Sequence, residues 1–93
     1  MPNNPRGKSL KAIARDISEG YVTVNPIFLK PFDIESLKLL YQEINKFQVE
    51  IRSEKFPFND IQGIRLRNLK LQRLFASAMV IRNFAKSKRV ILV

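Results

Sequence analysis

The sequence predicts a mainly α fold: a long antiparallel helical hairpin braced by a short N-terminal helix. Three observations carry that prediction. Between Ile34 and Glu54, apolar residues recur at alternating three- and four-residue steps (Leu37, Leu40, Ile44, Phe47, Ile51). From Asp60 to Lys88 they recur again at helical spacing, for about eight turns at 3.6 residues each. The break between the two stretches, Phe56-Pro-Phe-Asn59, is so short that the helices must be antiparallel neighbours.

Met1–Lys8 holds two prolines, two asparagines and a glycine, which reads as a flexible arm over residues 1–8. Residues 9–93 are then expected to form a single helical domain. Ser9 is placed to cap a helix over Leu10–Glu19, with Leu10, Ile13, Ala14 and Ile17 on one face and Gly20 as its stop. The run Lys11-Ala-Ile-Ala-Arg-Asp-Ile17 has the pattern of the first helix of a helix-turn-helix. The second helix of that motif should follow at once, and instead come Tyr21-Val-Thr-Val24 and the prolines Pro26 and Pro31. Tyr21–Val24 favours a strand by composition, and a strand needs a partner. The only other β-like stretch is at the C-terminus, so a small two-stranded element is expected from Tyr21–Val24 and Val90–Val93. Asn25–Pro31 crosses back to the helices with Ile27, Phe28 and Leu29 turned inward.

Asp33 is a good N-cap for the helix Ile34–Glu54, which shows the one apolar face of an outer helix, broadened by Ile34 and Tyr41. Asn59, with Gln62 three residues on, resembles a capping box for the last helix. That helix differs in kind, because it carries two seams. The first runs Ile64, Leu71, Leu74, Ala78, Ile81 and Ala85, with Phe75 on its flank and Arg67 interrupting it. The second runs Leu66, Leu69, Ala76, Val80 and Phe84, with Arg73 in its middle. Two seams imply neighbours on two sides, so the last helix is expected to be central. One seam meets the preceding helix. The other meets the N-terminal helix, a second copy of the chain or a different helical protein.

Charge is distributed unevenly. The chain carries 17 Lys and Arg against 8 Asp and Glu, a net charge of +9. Residues 59–93 hold eight basic groups against Asp60 alone, so the excess belongs to the last third. Folding the hairpin about Pro57 puts Glu50 level with Arg65 or Arg67, Glu43 with Arg73, and Asp33 or Glu35 with Arg82. Those arginines are therefore read first as interhelical ion pairs with packed aliphatic stems. Lys70, Lys86, Lys88 and Arg89 have no acidic residue at their level and form the candidate phosphate or anion contact.

Catalytic chemistry finds little here. The chain has no His and no Cys, which removes the commonest general base, the commonest metal ligand and every thiolate site. The serines lack a histidine to activate them, and each acidic residue is accounted for as a cap or an ion-pair partner. No enzyme activity, cofactor, metal or small-molecule substrate is expected. No apolar run reaches the roughly 18–20 residues of a membrane span, and Met1–Gly20 lacks a secretory apolar core, so a cytoplasmic protein is expected.

The function these features point to is a non-catalytic helical interaction module. It either self-associates as a homodimer or binds a helical protein through the second seam, Leu66, Leu69, Arg73, Ala76, Val80 and Phe84. The alternative is a basic nucleic-acid-binding protein that makes sequence-independent phosphate contacts through the C-terminal cluster. It lacks any aromatic stacking motif or Gly-rich phosphate cradle. An anionic membrane surface is a third partner, ranked below these two.

Overall fold

The computed structural model describes residues 9–55, 60–90 and 92. Within them lie four helices, α1 (Leu10–Glu19), α2 (Pro26–Leu29), α3 (Ile34–Ser53) and α4 (Ile61–Ser87). The arm Met1–Lys8, the connection Phe56–Asn59 and residues Ile91 and Val93 lie outside the described residues.

The helix ends follow local chemistry. Ala12 N–H donates to Ser9 Oγ at 3.1 Å, and Ser36 N–H donates to Asp33 Oδ1 at 2.7 Å. Each bond satisfies one of the amides that a first turn leaves without a partner. At the start of α4 the cap is Asp60, whose carboxylate accepts from Gly63 N–H at 2.9 Å. The observed cap is Asp60 rather than the expected Asn59, which lies outside the described residues, and Gly63 at the third helical position has no side chain to complete a capping box. Helix α1 closes on Gly20, which is left-handed at φ 83°. Gly20 N–H then reaches Ile17 O, and Tyr21 N–H reaches Asp16 O. The same double bond closes α4, where Arg89 N–H reaches Lys86 O and Val90 N–H reaches Ala85 O. There the left-handed position is occupied by Arg89 at φ 59°, a conformation that normally selects glycine.

Helices α3 and α4 pack against each other, α1 packs against both, and α2 packs against α4. The core is where these faces meet: Ile13 and Ile17 from α1, Leu40 and Ile44 from α3, Leu74 and Ile81 from α4, all fully buried. Leu29 of α2 is buried as well. Close packing of six large side chains from three helices gives each helix a fixed neighbour on its apolar face.

Two expectations fail in the connection between α1 and α3. The β-element is not present: Tyr21–Val24 forms no strand, nor do Val90 and Leu92, and no strand occurs among the described residues. The segment keeps a strand's alternation without a strand's pairing. Val24 is buried and Val22 packs against the core, whereas Tyr21 is 78% exposed. The two valines are thus held by side-chain burial against helices rather than by strand pairing. The crossover Asn25–Pro31, expected as a simple connection, contains a helical turn, α2, despite its two prolines. Pro26 sits in the first turn of α2, where a missing N–H costs nothing, and Asn25 Oδ1 caps it by accepting from Phe28 N–H at 2.8 Å. Phe28 and Phe32 follow with ring centroids 5.4 Å apart, while Ile27, expected inside, is 84% exposed.

Candidate functional site

Helix α4 carries six basic residues and no acidic one between Ile61 and Ser87. Three of them, spaced three residues apart, reach the C-terminal ends of other helices. Arg67 Nη2 donates to Arg52 O at 3.4 Å, in the last turn of α3. Lys70 Nζ lies 3.3 Å from the carboxylate of Glu19, the last residue of α1. Arg73 Nη1 donates to Ser18 O at 3.0 Å, one residue earlier in α1. For the two arginines the logic is shared: carbonyls at a helix C-terminus lack intrahelical partners and carry negative partial charge, so cations settle there, while Lys70 pairs with a side-chain carboxylate at the same place.

These contacts revise the expected pairing. Lys70, taken as having no acidic counterpart, pairs with Glu19. Arg73 bonds α1, and Glu43 does not lie with it. Glu43 and Glu50 instead line a groove with Lys11 and Arg15 of α1. Level along the hairpin axis does not specify the side a residue faces. The flank of α3 that bears Glu43, Phe47 and Glu50 faces α1. Arg65, Arg82, Lys86, Lys88 and Arg89 make no side-chain hydrogen bond or ion pair among the described residues. Lys88 Nζ rests 5.7 Å from the centre of the Phe84 ring.

The second seam divides where Arg73 and Lys70 hold the end of α1. On the C-terminal side, Val80 and Phe84 pack against the core. Ala76 and Val80 line a groove of about 270 Å³ with Val22, Val24 and Gly20, so the connection after α1 covers part of this half. On the N-terminal side the cover is missing. Leu66 is 51% exposed and Leu69 40%. Leu66 lies in a groove of about 340 Å³ between α1, α3 and α4, with Phe47 and Ile51 beside it. The lining carries three basic residues, Arg15, Arg67 and Lys70, against Glu19 and Glu54. Phe75, on the flank of the first seam, is 58% exposed.

The basic end of α4 has two further hollows. One, of about 520 Å³, is lined by Tyr41, Met79, Arg82 and Lys86 together with Val90 and Leu92. The other brings Lys30, which the sequence reading had not singled out, beside Lys88 around Phe32 and Phe84. No signal short of the fold places Lys30 there, since it lies far from Lys88 in the chain. Among the described residues there is no cluster of three His, Cys, Asp or Glu able to hold a metal, and no helix long and apolar enough to cross a membrane.

Comparison with known proteins finds no matching family, no matching curated protein and no matching solved structure. What this chain does must therefore be argued from its own residues.

Proposed function

We propose that the chain is a non-catalytic helical interaction module whose docking surface is the N-terminal half of the α4 seam, Leu66 and Leu69 with Arg73 at its edge. One observation carries this reading. A single helical seam is covered by the chain's own elements at Val80 and Phe84, yet left open to water at Leu66 and Leu69. Single exposed leucines are ordinary on any surface. Here two lie at adjacent turns, Leu66 within a groove beside Phe47 and Leu69 next to it on α4, and together they offer an apolar patch of the kind that helical partners occupy.

The test is capture of partners from a lysate, coupled to light scattering of the purified chain at high micromolar concentration. Leu66→Gln with Leu69→Gln should remove the association while leaving the far-ultraviolet circular dichroism spectrum unchanged. A chain that stays monomeric, and whose captured partners are the same with and without the two substitutions, would contradict the proposal.

A second reading is supported by a separate observation. Five cations, Lys30, Arg82, Lys86, Lys88 and Arg89, gather at the C-terminal end of α4, and Arg89 is held in a strained left-handed conformation. Such an end suits phosphate contacts with nucleic acid. Binding through it should fall with salt along a slope of about −0.9 per phosphate neutralised on a duplex. Lys86→Ala, Lys88→Ala and Arg89→Ala combined should flatten that slope, and an unchanged slope would dismiss this reading.

A further inference from the structure

Resting on the interaction-module reading, we infer that the partner of the open α4 seam is an acidic amphipathic helix rather than a second copy of this chain. The argument is one of charge complementarity. The surface around Leu66 and Leu69 belongs to a helix with six cations and no acid, in a chain of net charge +9. Consider a second copy laid antiparallel along the seam and centred on Leu69. Arg65 then lies level with Arg73 of that copy, twice over by symmetry, and a parallel copy sets each arginine level with itself. Like charges facing across a helix pair oppose association.

An acidic helix reverses every one of those terms. Arg65 makes no ion pair among the described residues and is exposed, so it is free to meet a carboxylate. Arg73 uses Nη1 on Ser18 O, and a guanidinium has five donors in all. The Lys70 side chain is 27% exposed where it pairs with Glu19. The geometry also favours a helix over a lipid surface. Leu66 lies within a groove bounded by three helices, with Arg15 and Glu54 at its walls. A concave strip accepts the ridge of leucines on a helix, whereas binding to a bilayer needs apolar side chains that project.

The experiment uses the full chain and two synthetic helical peptides of about 20 residues, long enough to form helix once docked. Both carry leucines at three- and four-residue spacing. One bears Glu and the other Lys at the remaining positions. Fluorescence anisotropy should show the Glu peptide bound at least about tenfold more tightly than the Lys peptide, with affinity falling as salt screens the charges. Leu66→Gln with Leu69→Gln should weaken it by about tenfold or more, and Arg65→Gln by a smaller factor. Equal binding of the two peptides would overturn the acidic partner and leave the docking surface intact. No peptide binding, with a solution mass of two chains, would put a second copy on the seam. No binding by a monomer would overturn the acidic partner and the docking surface together. If Glu-peptide binding survives the leucine substitutions, or only vesicles of acidic lipid or nucleic acid are bound, the inference fails.

Discussion

Gly20 tests the junction on which the division of the seam depends. A methyl group added there has two consequences. The residue sits at φ 83°, where an L side chain meets its own backbone, at a cost of about 1–2 kcal/mol. The new Cβ would also stand 2.9 Å from Arg73 Cζ and 3.0 Å from Nη2. The far end of an arginine is flexible, so the guanidinium moves and its 3.0 Å bond to Ser18 O is lost. Hydrogen bonds to charged groups are worth about 1.5–3 kcal/mol, and the partial exposure of this one brings its share below that range, to about 1 kcal/mol. Alanine's smaller unfolded-state entropy returns about 0.5 kcal/mol. Gly20→Ala is therefore expected to cost about 2 kcal/mol, or about 10 °C in Tm for a chain of this size. Arg73→Met, which keeps the packed stem, should cost about 1 kcal/mol. Urea denaturation followed by circular dichroism on both single variants and the double variant gives the coupling. Because both changes break the same bond, the double variant should be about 1 kcal/mol more stable than the sum of the singles. Full additivity, or a Gly20→Ala cost under about 0.5 kcal/mol, would refute the placement of Arg73 against the end of α1.

Other expectations follow from single sites. Gln48 is 7% exposed and its side-chain Nε2 has no hydrogen-bond partner among the described residues, so Gln48→Met should stabilise the chain by about 1 kcal/mol, measured as a rise in the urea midpoint. Arg89→Gly relieves the left-handed strain at the end of α4 and should raise stability by about 0.5–1 kcal/mol, with a higher Tm in calorimetry. Asp60→Ala removes the cap on Gly63 N–H and should cost about 1 kcal/mol, seen as faster hydrogen exchange in the first turn of α4. Ile81→Ala and Leu74→Ala, both fully buried, should each cost about 2–5 kcal/mol, against under about 1 kcal/mol for Leu69→Ala by the same denaturation assay.

The contrast between Ile81 and Leu69 marks where sequence reading succeeds and where it stops. Helix bounds were legible because Ser9, Gly20 and Asp33 act on bonds three or four residues away, and a linear sequence contains that information. Ile81 was legible because the 3-and-4 spacing of its seam matches the face of α3. The fate of the second seam was not. Leu69 and Val80 look alike in sequence, and they differ only because the end of α1 and the connection after it lie along one half of α4. The arginines failed for a related reason. Pairing Glu43 with Arg73 used position along the hairpin axis, and the third helix took each residue to a different side. Tyr21–Val24 shows local preference overridden by tertiary context, since its composition favours a strand and its valines pack against helices instead.

The central claim is that the open half of the α4 seam is where a partner lies. Its most direct measurement is a titration of the isotope-labelled chain with the acidic peptide, following backbone amide shifts residue by residue. The account predicts changes concentrated from Gly63 to Ala76, together with Arg15 and Glu19 at the groove wall. Shifts confined to Arg82–Arg89 and Lys30, with Leu66 and Leu69 unmoved, would contradict it.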